Sequence, residues 1–143
     1  FWGCENLETA PTLPAETLTP ACYNTMFLSC TKLKTAPQLP ATTLAVCCYQ
    51  QMFYGCTSLE TAPALPAETL AGSCYQGMFK GCTNLSSVTM MASSDQIKIH
   101  LIAAEIGWMV QEPVLNRAAK VKDEKAYSAL ESNGYLPNNW KEG

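Results

Sequence analysis

The chain has 143 residues, of which 48% are hydrophobic and only 15% charged. That is enough apolar material for one domain with its own core, and the composition excludes a disordered segment. A net charge of −3 leaves no basic stripe to neutralise phosphates, so nucleic acid is excluded as an expected partner, and no apolar run approaches the roughly 18 residues of a membrane span, so no direct membrane insertion is expected.

From the first residue onward the chain repeats itself. Phe1, Phe27, Phe53 and Phe79 are each 26 residues apart, as are Cys4, Cys30, Cys56 and Cys82; Leu7, Leu33, Leu59 and Leu85; and Cys22, Cys48 and Cys74. Residues 1–26, 27–52 and 53–78 are near-copies, and a fourth unit begins at Phe79 and then departs from the pattern. A period of 26 falls in the range of leucine-rich repeats, whose units cannot bury their apolar face alone and stack to make a continuous core. Within a unit, Leu59-Glu60-Thr61-Ala62 predicts a short strand, stopped by Pro63 and Pro66 because proline has no N–H for a ladder. The segment Thr69 to Met78 has Leu70, Cys74 and Met78 at i, i+4 and i+8, with Tyr75 and Phe79 also four apart. That spacing predicts a short helix or 3₁₀ turn with one face inward. The expected fold is therefore an α/β repeat: a leucine-rich-repeat solenoid of 26-residue units, short parallel strands alternating with short helical or 3₁₀ returns, over residues 1–88. Phe1-Trp2-Gly3-Cys4 enters the repeat midway without a polar cap, so the array is expected to be truncated at its N-terminus, and the uncapped end is a candidate for homotypic contact.

Residues 89–143 are expected to form a mainly helical C-terminal capping segment. Val88 to Met91 is compatible with a last strand, and Ser93 or Ser94 is a suitable N-cap with Asp95 in the first turn. Ile97, Leu101 and Trp108, beside Ile102, Ile106 and Met109, give an apolar stripe running to Gln111 before Pro113. Asp123 to Ser132 predicts a second helix, with Ala126, Tyr127 and Leu130 inward and Asn133-Gly134 as its stop. Six of the nine basic residues lie in this tail, balanced by seven acids, which suits a polar lid over an apolar stripe.

Residue by residue the repeat resembles the BspA-like leucine-rich-repeat family of bacterial surface proteins of the Bacteroidales type. The motif Met-Phe-x-Gly-Cys-Thr-x-Leu stands at Met52–Leu59 and Met78–Leu85, and Thr-Ala-Pro-x-Leu-Pro-Ala follows at 61–67. The likeness is strong over 1–88 and extends weakly to Ile106-Gly107-Trp108 and to residues 133–140. The extra prolines at 11, 37 and 63 depart from the family's shorter 23-residue unit. The resemblance implies an extracellular or cell-surface setting and a role in adhesion.

Seven cysteines, Cys4, Cys22, Cys30, Cys48, Cys56, Cys74 and Cys82, fall at fixed repeat positions and are expected to be stacked core thiols, since free cysteine behaves as a small hydrophobe. Disulfides, for example Cys22 with Cys30, are the alternative reading. No metal is expected, because there is no C-x-x-C and the only histidine, His100, is distant in sequence. Cys47 has Ala21 and Ser73 as its repeat mates and is expected near the surface. His100, in a tract of isoleucine and leucine, reads as a packed or edge residue. No nucleophile–base pattern, paired carboxylates or phosphate loop appears, so neither an enzyme nor a cofactor is expected.

What varies between units is surface. Glu8, Lys34 and Glu60, next to Thr9, Thr35 and Thr61, are expected to form columns on the strand face, and Trp2, Leu28 and Tyr54 (with Lys80) a second column. Both are candidate ligand-binding positions for an extracellular protein or glycan, because exposed aromatics stack on sugars and anchor protein partners. The structural alternatives are that the charges merely pair across strands, at about 0.5 kcal/mol or less when exposed, and that the aromatics seal an edge. The expected function is a non-catalytic binding or adhesion module, with a structural spacer or self-assembling element as the alternative.

Overall fold

The computed structural model describes residues 1–101, 117–132 and 140–142. In residues 1–86 the chain forms no continuous strand and no helix. Residues one repeat apart nevertheless lie side by side. Single parallel bridges join Thr9 to Thr35, Thr35 to Thr61 and Thr61 to Ser87. The expected strand over 59–62 shrinks to such a bridge for two reasons. Leu59 spends its N–H on the Cys56 carbonyl in a turn, and Pro63 has none to give. Only Ser86 N–H to Glu60 O (2.8 Å) and Ala62 N–H to Ser87 O (3.2 Å) fit between those limits.

From Ser87 the ladder becomes a true sheet. Strands β1 (Ser87–Met90), β2 (Arg117–Val121) and β3 (Trp140–Glu142) pair in parallel in the order β1-β2-β3. Ser87 faces Ala118, and Ala118 faces Lys141. One line of parallel neighbours thus runs Thr9, Thr35, Thr61, Ser87, Ala118, Lys141. The tail is expected to be mainly helical; among its described residues, helices α1 (Ser94–Leu101) and α2 (Glu124–Ser132) alternate with strands that carry the ladder on.

Both helices begin where expected. Ser93 caps α1, accepting the Ile97 N–H on its carbonyl at 3.0 Å, with Asp95 in the first turn. Asp123 caps α2, its Oδ1 taking the Ala126 N–H at 2.8 Å. Ala126, Ala129 and Leu130 are buried, and with Ile97 they join the core of the repeats. The expected run of the first tail helix to Gln111, the motif at 106–108 and the Asn133-Gly134 stop lie outside the described residues.

The returns are not α-helices but runs of single i→i−3 turns, the hydrogen bond of the 3₁₀ alternative, without a continuous helix. In the return that runs from the second unit into the third, the N–H groups of Cys48, Gln50, Met52, Tyr54 and Cys56 close i→i−3 turns on Ala45, Cys47, Tyr49, Gln51 and Phe53. The alternate N–H groups, of Cys47, Tyr49, Gln51, Phe53 and Gly55, reach across to Gly72, Cys74, Gln76, Met78 and Lys80 at 2.8 to 3.0 Å. Every fourth residue of the return is left-handed: Ala21, Thr25 and Ser29, then Cys47, Gln51 and Gly55, then Ser73, Gly77 and Gly81. A run of four-residue turns produces the i, i+4 apolar spacing that a helix would, which is why the sequence pattern points to one. The inward positions are the same, and Leu70, Cys74, Tyr75, Met78 and Phe79 are all buried.

The left-handed columns have a consequence for stability. Thr25, Gln51 and Gly77 share one column, and a β-branched residue is the least suited to it. Thr25→Gly is expected to raise stability by about 0.5–1 kcal/mol despite glycine's larger unfolded-state entropy. The reverse change, Gly81→Ala, adds a Cβ 3.3 Å from the Gly55 Cα at φ +79 and is expected to lower stability by about 1–2 kcal/mol. Urea midpoints of the two variants check both.

Candidate functional site

The columns inside the repeats are made of like residues stacked on like. Phe1, Phe27, Phe53 and Phe79 stack with ring centroids 5.5 to 5.8 Å apart, and Tyr23, Tyr49 and Tyr75 with 5.8 and 6.0 Å. Asn24 donates its amide to Gln50, and Gln50 to Gln76. This amide ladder was not singled out in the sequence, although its 26-residue spacing was open to view.

The thiols have a specific partner. Cys30, Cys56 and Cys82 each donate S–H at 3.0 Å to the carbonyl of Phe1, Phe27 or Phe53 in the preceding unit. Those carbonyls also accept the N–H of Cys4, Cys30 and Cys56, so the second lone pair of a carbonyl in the stack is occupied. Burial first, and a neighbouring thiol of the same column second, pushes Cys56 up to about 12. Cys74 is raised to about 12 and Cys48 to about 11, again chiefly by burial. Such thiols carry almost no thiolate at neutral pH and make poor nucleophiles. Two of the seven expected core thiols depart from that reading. Cys4 and Cys22 are exposed, because within the described chain no unit lies over their outer side. Cys47 is partly exposed, and all eight cysteines are free thiols, so the Cys22–Cys30 pairing is not formed.

Tyr49 is 1% exposed, yet its hydroxyl has no hydrogen-bond partner among the described residues. A buried, unpaired hydroxyl costs stability, so Tyr49→Phe is expected to raise it by about 1 kcal/mol in thermal or urea unfolding.

The strand-face candidates meet as a column. Glu8, Lys34 and Glu60 are exposed, as are Thr9, Thr35 and Thr61. Lys34 N–H bonds to Glu8 O at 3.0 Å, and their side chains pair at 3.0 Å while about 60% exposed (61% and 59%). An ion pair that open to water contributes little, so charge pairing accounts for Glu8 and Lys34 but fixes little of the fold. Between the second and third units lies a depression of about 330 Å³, bordered by Lys34, Thr35, Gln38, Glu60, Thr61 and Pro63. It brings together four of the six strand-face candidates. Gln38, which follows Pro37, is an addition that the sequence reading did not make.

The second column is real but separate. Leu28, Tyr54 and Lys80 accept backbone bonds from Gly3, Ser29 and Gly55, which sets Trp2, Leu28, Tyr54 and Lys80 in one file. Trp2 is 73% exposed, while Leu28 and Tyr54 are half-buried and Lys80 is exposed. None of these residues borders the strand-face depression.

Among the described residues no group of three or more His, Cys, Asp or Glu is arranged to hold a metal ion, and no helix is long and apolar enough to cross a membrane. The side chain of His100 lies outside the described residues. No protein-family model, curated protein or solved structure matches the chain.

Proposed function

We propose that the chain is part of a leucine-rich-repeat array that works as a non-catalytic binding or adhesion module on a bacterial surface. The ligand, an extracellular protein or a glycan, is held on the strand face at Glu8, Thr9, Lys34, Thr35, Glu60 and Thr61. One observation carries this reading. Glu8, Lys34 and Glu60, which vary between units, and the invariant Thr9, Thr35 and Thr61 are all exposed on this face, and four of the six border a single depression with Gln38. A carboxylate, an ammonium, two hydroxyls and an amide there present both donors and acceptors to a polar ligand. The footprint of three neighbouring bridges at about 4.8 Å spacing is roughly 15 Å, so single-site affinity is weak and multivalency strengthens it. The purified chain is screened on glycan and matrix-protein arrays, and each hit is repeated with Lys34→Glu and Glu60→Lys. Binding that ignores both substitutions excludes the strand face.

A structural role is the second reading, favoured by Phe1 and Trp2, which are 54% and 73% exposed and give the first unit an apolar face. Homotypic contact there appears as concentration-dependent mass in sedimentation, and Trp2→Ser abolishes it.

A further inference from the structure

We propose that the depression between the second and third units takes a basic side chain, lysine or arginine, from a partner protein. The inference rests on the strand-face reading above and chooses between its two classes of ligand. The two units concerned each have a neighbour on either side, since Thr35 is bridged to Thr9 as well as to Thr61, and Thr61 to Ser87. The depression is therefore not an end of the array.

Charge decides first. Glu8, Lys34 and Glu60 hold the same position in three successive units. Lys34 turns its Nζ to the Glu8 carboxylate at 3.0 Å. That leaves the Glu60 carboxylate, which makes no ion pair among the described residues. Its mate in the fourth unit is the neutral Ser86, whose hydroxyl donates to the Glu60 backbone carbonyl at 2.8 Å rather than to the carboxylate. Two carboxylates and one ammonium leave one negative charge on this face, and the whole chain carries −3. A cation is attracted here and an anion is turned away. The Thr35 and Thr61 hydroxyls and the Gln38 amide border the same depression and add acceptor oxygens. A lysine ammonium or an arginine guanidinium has donors only, so acceptors are all it needs.

Shape decides the rest. Ala36, Ala62 and Pro63 complete the border of this hollow of about 330 Å³, so apolar carbon stands beside the polar groups. Lysine and arginine lay an apolar stem along such carbon while the charged tip reaches polar partners. Among the described residues no aromatic ring borders the depression, and the apolar face of a sugar ring has no platform to stack on.

The test titrates the isotopically labelled 143-residue chain with small probes at constant ionic strength. Nuclear magnetic resonance follows the backbone amide signals of Thr35, Gln38 and Thr61. The probes are Nα-acetyl-lysine methylamide, its uncharged norleucine analogue, methyl glucoside and methyl glucosaminide, each to about 50 mM because one exposed contact binds weakly. The lysine probe is expected to shift all three signals, and less so in about 1 M salt. The norleucine and glucoside probes are expected to leave them in place. Glu60→Gln is expected to weaken lysine binding about threefold, and Lys34→Gln, which removes a cation and leaves the Glu8 carboxylate unpaired, to strengthen it by about the same factor. Both side chains are exposed, so neither change threatens the fold. The proposal is overturned by a silent lysine probe, by equal shifts with norleucine, by a glucosaminide that shifts the signals where lysine does not, or by a Lys34→Gln chain that binds lysine more weakly. Its fate is separable from that of the strand face. An array hit on a glycan that is lost with Glu60→Lys, while the lysine probe stays silent, keeps the strand face and strikes this proposal; hits that ignore both charge reversals remove the two together.

Discussion

Phe53→Ala is expected to destabilise the chain by about 3–5 kcal/mol, and Phe1→Ala by less than about 1 kcal/mol, although the two residues occupy the same position in the repeat. Phe53 is fully buried, with a ring on each side, Phe27 at 5.6 Å and Phe79 at 5.8 Å. Removing it loses its own transfer free energy, opens a cavity between two rings that the backbone holds one unit apart, and exposes the Cys82 S–H acceptor region at the Phe53 carbonyl. Phe1 has one ring neighbour, at 5.5 Å, and is 54% exposed, so water fills its place. Urea unfolding of both variants, with the slope checked for constancy, makes the comparison. Equal losses at the two positions would refute the idea that burial increases from the first unit inward.

Which residues lie beside which was legible in the sequence, since Phe27 and Phe53, Tyr49 and Tyr75, and Thr35 and Thr61 are neighbours at the spacing of the repeat. The backbone that brings them together was not. A helix and a run of four-residue turns share the same apolar spacing, and only the left-handed residue closing each turn separates them. That signal is visible as Gly55, Gly77 and Gly81, but it is masked where Ala21, Thr25, Ser29, Cys47, Gln51 and Ser73 take the same conformation. β2 was missed because Arg117-Ala118-Ala119-Lys120-Val121 has weak strand propensity and because Ala118 follows Ser87 by 31 residues rather than 26. The next step, from Ala118 to Lys141, is 23 residues, so the spacing of the ladder changes while its register persists. At the candidate site, variation between units marked the exposed column, and Gln38 was missed because the loop after Pro37 has no period-two pattern to orient it. Chemistry at fixed positions is recovered from a repeat more readily than chemistry at variable ones. Cys30, Cys56 and Cys82 answer to a carbonyl acceptor inside the stack, whereas Glu8, Lys34 and Glu60 stand on its exposed face.

The buried thiols give the stability a sharp dependence on alkaline pH. Cys48, Cys56 and Cys74 are raised from an ordinary value of 9.0 to about 11, about 12 and about 12. For an acid held protonated by the fold, the contribution is fully present below the unfolded value and is lost as pH rises towards the folded one. Stability is therefore flat with respect to these groups up to about pH 8.5 and declines above pH 9. Where the unfolded thiols are ionised and the folded ones are not, each contributes a slope of about −1.4 kcal/mol per pH unit. Three such groups acting together unfold a domain of ordinary stability before pH 11. Tyr49 and Tyr75, raised by the same burial, steepen the decline from about pH 10, where unfolded tyrosines begin to ionise. Urea midpoints measured from pH 7 to pH 10.5 with reductant present give the curve, and Cys74→Ala is expected to lower the slope between pH 9 and pH 10 by one proton's worth. Labelling with a thiol reagent at pH 8 reports the same burial, with Cys4 and Cys22 reacting at once, Cys47 more slowly, and the other five only on unfolding. A stability that does not change between pH 9 and pH 10.5 would mean that the cysteine columns are open to water, and the stacked arrangement of residues 26 apart would fall with them.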